Sequence, residues 1–154
     1  MTGRLSTPSV RSELRNYLIS AYRDDLASDI LSGMTAEQKY IPSRYFYDAR
    51  GSQLFEEICR LPEYYPTRLE LSILRGACGA LMESFGEGDL VELGSGANKK
   101  ISLLIDAAPG PEGEDLRYIP VDVSESALAA ATEGLLWRYP HLHVLGIVGD
   151  FTRD

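Results

Sequence analysis

The stretch Asp89-Leu90-Val91-Glu92-Leu93-Gly94-Ser95-Gly96 constrains this chain most, because an apolar run of strand length ends in two glycines one residue apart. Apolar residues at helical spacing follow from Ile101 to Ala108, so the segment reads as strand, tight turn and helix start. Glycine suits the turn because it reaches backbone angles that a Cβ forbids and lets a ligand approach the main chain. The helix start beyond it offers unpaired N–H groups and a partial positive charge. Lys99 stands where the third glycine of a full dinucleotide fingerprint would be, so the turn alone leaves its ligand open.

Two more segments repeat the pattern. Arg117-Tyr118-Ile119-Pro120-Val121-Asp122 reads as a second strand, and Ser124 is placed to cap a helix over Glu125 to Tyr139. His141 to Phe151 reads as a third strand ending in Gly149-Asp150-Phe151. Strands alternating with helices predict right-handed crossovers and a parallel sheet, whose ligands bind outside the carboxyl ends of the strands. Gly94 and Gly96, Asp122, and Asp150 with Phe151 occupy those three ends. Asp122 lies 26 residues beyond Gly96. The usual spacing to an acid that accepts from ribose hydroxyls is about 20, and the Pro109 to Glu114 loop accounts for the excess. Asp150 is placed to accept from an adenine amino group, with Phe151 packing on the ring. Glu92 just before Gly-Ser-Gly is the pattern of S-adenosylmethionine sites, where a carboxylate lies near a ligand carrying an ammonium and a sulfonium.

Upstream, Met1 to Ser9 reads as frayed, and Leu14, Leu18, Ala21 and Tyr22 predict helix within Val10 to Met34. Ser52 is placed to cap a helix from Gln53 to Leu61. Leu61-Pro62-Glu63-Tyr64-Tyr65-Pro66-Thr67-Arg68 is stiffened by its two prolines, and its tyrosines offer flat apolar faces with a hydroxyl. Thr67 with Glu70 reads as a capping box for a helix to about Phe85, with Leu71, Leu74, Cys78 and Leu81 inward. The expected division is a helical, substrate-side segment over 1–85 and a cofactor-binding segment over 86–154.

A chain of 154 residues is large enough for one ordinary domain with a real core. Fifteen basic against twenty-three acidic residues leave a net charge of −8, which gives no footprint for non-specific nucleic-acid binding. Cys59 and Cys78 read as reduced structural thiols, and His141 and His143 as surface histidines with no third metal ligand in sight. No apolar run approaches the length of about 20 residues that a membrane span needs. The expected location is the cytoplasm, with no membrane partner, no nucleic acid and no metal.

Tyr45 to Ser52, Leu61 to Arg68, Glu92 to Lys100, Pro120 to Leu128 and Gly149 to Phe151 together resemble the histidine-specific S-adenosylmethionine-dependent methyltransferases. Those enzymes of ergothioneine biosynthesis methylate the α-amino group of histidine. The resemblance runs from about Tyr40 to the last residues, and its Phe-Tyr-Asp and Leu-Pro-Glu-Tyr-Tyr-Pro-Thr-Arg blocks are specific to the family. It implies a class I, Rossmann-like α/β fold, here three parallel strands with helices behind an N-terminal helical segment. It also implies that Gly94, Lys100, Asp122, Asp150 and Phe151 contact S-adenosylmethionine, that Tyr64 lines the histidine site, and that Tyr47 lies between substrate and cofactor. Glu92 and Gly96 join the cofactor set from the strand-end reading. No catalytic dyad is visible or needed, since methyl transfer mainly requires positioning of an uncharged amine.

The family is about twice this length, so the chain reads as its N-terminal half, with weak or no catalysis alone. The first of the three strands would then have a bare edge, to be covered by the remaining half or by a second copy of the chain. Two other readings stay open from sequence: a nicotinamide-dependent oxidoreductase domain, and a non-catalytic paralogue binding a metabolite or a partner.

Overall fold

Four strands form one parallel sheet: β1 (Ser12–Asn16), β2 (Asp89–Leu93), β3 (Arg117–Asp122) and β4 (His143–Val148), in the order β1-β4-β3-β2. The structure is a computed structural model that describes residues 11–18, 21–85, 88–96, 98–109 and 116–151. The expected fraying before residue 10 and most of the Pro109 to Glu114 loop lie outside those residues. Around the sheet stand α1 (Ala21–Thr35), α2 (Ala49–Ile58), α3 (Pro66–Phe85), α4 (Lys99–Asp106) and α5 (Glu125–Arg138), with a short 3-10 turn at Ser43–Phe46. This is a partial Rossmann-like α/β fold.

The three sequence-predicted strands pair in parallel register, Leu90 with Tyr118 and Tyr118 with Val144. Pro120 has no N–H to donate, and the β3–β4 ladder is interrupted between Tyr118 and Val121. Ile101 and Ile105 of α4 and Leu135 of α5 close with Tyr118, Val144, Tyr139 and Leu142 into the main core. Each fully buried aliphatic side chain there contributes about 2 kcal/mol through apolar area removed from water.

The fourth strand corrects the helix expected from Val10 onward. Ser12–Asn16 extends along β4, and the first helix starts only at Ala21. Leu14 lies against Gly146 and beside Leu128, where α5 covers the sheet, while Glu13 and Arg15 pair with each other. Such alternation has period two. The helical spacing of Leu14, Leu18, Ala21 and Tyr22 spans a boundary between two elements.

Two caps also differ from expectation. Asp48, not Ser52, caps α2, its side chain accepting from the Gly51 N–H at 2.7 Å. Helix α3 opens on Pro66, which tolerates a first-turn position because its missing N–H would be unsatisfied there anyway. Thr67 therefore lies inside the helix, its hydroxyl 3.4 Å from Cys59 Sγ. Ser124 caps α5 as expected, accepting from Ala127 N–H. Along α3 only Met82 is buried; Leu71, Leu74 and Cys78 are half-buried, and Leu81, expected inward, is exposed.

Helices α4 and α5 cover one face of the sheet. On the other face Val91 and Leu93 are 54% and 58% exposed, and among the described residues β2 pairs only with β3. The expected bare edge is therefore present. No helix among the described residues is long and apolar enough to cross a membrane.

Two helical glycines have opposite surroundings. A Cβ on Gly51 would fall 1.5 Å from the Phe46 carbonyl oxygen, whereas one on Gly76 would meet nothing within 4 Å. Gly51→Ala should lower stability by about 2 kcal/mol through backbone displacement, and Gly76→Ala should raise it by up to about 1 kcal/mol through helix propensity. Thermal melts of the two variants against the parent check the signs, and equal signs would contradict this packing.

Candidate functional site

At the carboxyl ends of the strands one residue ties three loops together. Asp122, the last residue of β3, accepts at Oδ2 from the Gly96 N–H at 3.2 Å and at Oδ1 from the Ser124 N–H at 2.9 Å. Its backbone carbonyl accepts from Gly149 N–H at 3.0 Å, and Gly94 N–H donates to the Val121 carbonyl at 2.8 Å. The turns after β2, β3 and β4 are thus held against one another. Gly94 and Gly96 have φ of +70° and +48°, a region where glycine carries no Cβ penalty.

Gly94, Gly96, Asp122, Asp150 and Phe151 come together at this end as expected from sequence. A Cβ built on Gly94 would face the Phe151 ring at 3.9 Å, so the turn and the ring border one cradle. Asp150 is buried, with 7% of its surface exposed, while Phe151 is half-exposed. The cationic Arg44 of the 3-10 turn acts electrostatically on Asp150 from the side of the N-terminal helices.

Glu92 and Lys100 lie at the root of the glycine turn. The Tyr118 phenol donates to Glu92 Oε2 at 2.6 Å, and Lys100 Nζ lies 3.8 Å from Glu92 Oε1. Burial holds the Glu92 carboxyl above the ordinary carboxylate range, against the opposing pull of Tyr118 and Lys100. Burial, aided by the Glu92 charge, also pushes the Tyr118 phenol far up, so it remains a donor. Lys99 pairs with Glu56 of α2 at 3.1 Å and Lys100 with Glu70 of α3 at 3.4 Å. The first turn of α4 is thereby fastened to both upstream helices.

Tyr47 and Tyr64 stand on either side of Phe55. The Tyr47 and Phe55 rings are 6.4 Å apart and the Phe55 and Tyr64 rings 5.8 Å apart, both edge to face. Tyr47 lines an open cavity of about 730 Å³ with Tyr45, Val123, Ser124 and Glu125, and that lining includes none of Gly94, Gly96, Asp122, Asp150 and Phe151. Tyr64 does not line that cavity. Its loop is held by Arg68, whose guanidinium donates to the carbonyls of Leu61, Pro62 and Tyr64. Asp29 of α1 accepts from the Tyr45 hydroxyl at 2.6 Å and from Arg44, which fixes the 3-10 turn preceding Tyr47.

Sequence reasoning missed Tyr118 and Phe55 as parts of this arrangement. Tyr118 lies two positions before Pro120, the register partner of Glu92, on the same face of the sheet, so parallel pairing places it within reach. Phe55 lies in the helix expected from Gln53 to Leu61, where its spacing marks an apolar face and not a site. Among the described residues no group of three His, Cys, Asp or Glu side chains could hold a metal ion.

Comparison with known proteins gives a consistent result. The family model for histidine-specific, S-adenosylmethionine-dependent methyltransferases matches residues 26–154. The histidine N-alpha-methyltransferase of Mycolicibacterium smegmatis is 42% identical over 140 residues, covering 90% of this chain and 43% of that protein. The histidine N-alpha-methyltransferase of Mycobacterium tuberculosis is 40% identical over 126 residues, 82% of this chain and 39% of that protein. An N-methyltransferase of Aspergillus flavus is 33% identical over 134 residues, 84% of this chain and 36% of that protein. The chain thus spans less than half the length of these relatives.

The raised Glu92 carboxyl has a consequence for stability. The folded chain holds this proton more tightly than the unfolded chain, so its contribution is full below the ordinary carboxylate range and is lost as pH rises through the folded value. Glu92→Gln keeps an acceptor for Tyr118 without the buried charge. It should melt a few degrees above the parent at pH 7.5, where about 1 kcal/mol corresponds to about 2–4 °C, with the gap closing toward pH 5. A variant that melts lower at both pH values would contradict the assignment.

Proposed function

The chain belongs to the histidine-specific, S-adenosylmethionine-dependent methyltransferase family, and from that premise we propose that it forms the cofactor side of an N-methyltransferase acting on the α-amino group of histidine or a related amino acid. The observation that carries this reading is Asp122, which fixes the Gly94–Gly96 turn while its carboxylate stands beside the cradle between Gly94 and Phe151. Family membership replaces the nicotinamide alternative.

In this reading residues 88–151 hold the cofactor and the helical segment from α1 to α3 supplies the substrate side. Gly94 and Gly96 give the ligand close access to the main chain. Asp122 has lone pairs beyond those taken by Gly96 and Ser124, suited to ribose hydroxyls. Asp150 and Phe151 take an adenine by hydrogen bond and ring packing. Glu92 and Lys100 take the charged amino-acid end, and Tyr47 and Tyr64 wall the acceptor amino acid.

S-adenosylmethionine supplies a methyl group activated by its sulfonium. Held by Asp122, Asp150 and Phe151, it would supply that methyl carbon to the amine, with the thioether as leaving group. What the protein supplies is alignment, worth several kcal/mol when the reacting atoms are held near 3 Å. The amine must be uncharged to attack, and its proton leaves to water or a nearby acceptor. Tyr47, joined through Phe55 to Tyr64, is the group this reading assigns to orient that amine.

Calorimetric titration with S-adenosylhomocysteine tests the cofactor assignment. The parent should bind, Asp122→Ala should lose binding because the turn and the ribose acceptor go together, and Phe151→Ala should weaken it about tenfold by loss of ring packing. Retained affinity in Asp122→Ala would rule out the strand-end site.

A further inference from the structure

Glu70 lies in the second turn of α3, and its carboxylate is directed to α4. Lys100 Nζ is 3.4 Å from Glu70 Oε1 and 3.8 Å from Glu92 Oε1, so the three side chains make a carboxylate–ammonium–carboxylate row joining α3, α4 and β2. The row stands at the root of the Gly94–Gly96 turn, because Glu92 is two residues before the first glycine and Lys100 four after the second. Both separations are longer than a tight charge-assisted hydrogen bond of about 2.8 Å, such as Arg138 makes with Asp106 at 2.8 Å. Lys100 has three donors and is 35% exposed, and Glu70 is more than half exposed. A row this loose can exchange partners with a solute at little cost in buried charge.

The row has the donor and acceptor pattern of an amino-acid zwitterion in reverse. An ammonium between two acids suits a ligand carboxylate, and the acids beside it suit a ligand ammonium. We infer that Glu70 is a binding residue for the α-ammonium of an S-adenosyl ligand, with Lys100 taking the α-carboxylate and Glu92 flanking both. This rests on the cofactor reading proposed above and adds a residue from α3, outside the strand ends. Burial of Glu92 and the nearby Glu70 charge both disfavour its ionised form, so a cation brought against the pair relieves a repulsion already present.

A strut that merely fastens α3 to α4 would use the same contacts, so the test separates the two roles. S-adenosylhomocysteine and 5′-methylthioadenosine share the adenosine and the thioether sulfur, but only the first carries the amino-acid end. Both are titrated by calorimetry into the protein and its Glu70→Gln variant, with melting temperatures compared as a folding control. Glu70→Gln should weaken S-adenosylhomocysteine about fivefold, as for one partly exposed charge contact, and leave 5′-methylthioadenosine unchanged. Equal weakening of both ligands, or no change in either, overturns the inference while leaving the cofactor reading intact. A parent protein that binds neither ligand overturns both.

Discussion

The arrangement at the strand ends depends on the bonding of one residue, Asp122. Asp122 accepts from the turn after β2 and from the turn after its own strand, and its carbonyl accepts from the turn after β4. Parallel strands that run side by side need not finish in a common plane, and three separate loops would lose conformational entropy independently. Drawing their N–H groups to one residue makes the loops a single surface. It also satisfies backbone donors that strand pairing cannot reach at a sheet's end. On the proposed reading, the carboxylate that holds two of the turns is also a ligand group, so structure and binding share a residue.

Around that point the chain is built asymmetrically. Core packing concentrates where α4 and α5 lie on the sheet, around Tyr118, Ile101, Leu135 and Val144. The tyrosine-bearing segment is attached by polar links instead: Asp29 with Arg44 and Tyr45, Lys99 with Glu56, and Lys100 with Glu70. Exposed ion pairs of this kind contribute little stability each. Their effect is to set where α2 and α3 stand relative to the glycine turn, and hence where Tyr47 and Tyr64 stand. The opposite sheet face, with Val91 and Leu93, and the free edge of β2 remain apolar and unpaired among the described residues.

The parallel sheet and the turns at its carboxyl end were legible in the sequence because they rest on strong local signals. An apolar run closed by a glycine or an acid recurs at Leu93-Gly94, Val121-Asp122 and Gly149-Asp150. The strand at Ser12–Asn16 was not legible, because five residues with one apolar side chain carry no strand signal of their own. Its conformation is imposed by the open edge of β4, and only tertiary pairing overrides the helical spacing of its neighbours. Helix starts were misjudged where two residues could cap: Asp48 prevails over Ser52 because the chain passes so close at Gly51 that the helix must begin earlier. Contacts across elements, such as Tyr118 with Glu92 and Phe55 between two tyrosines, follow from register and packing and leave little mark on one sequence.

The central claim is that the three strand ends tied by Asp122 form one ligand surface. Backbone amide resonances report on it directly, since the N–H groups of Gly94, Gly96, Ser124 and Gly149 all belong to that bonding network. Titration of the isotope-labelled protein with S-adenosylhomocysteine, followed by amide NMR, should move these four signals together with those of Asp150 and Phe151, along one saturation curve. Signals that move only elsewhere, for instance along the exposed β2 edge, or a strand end that stays unchanged at saturating ligand, would contradict it.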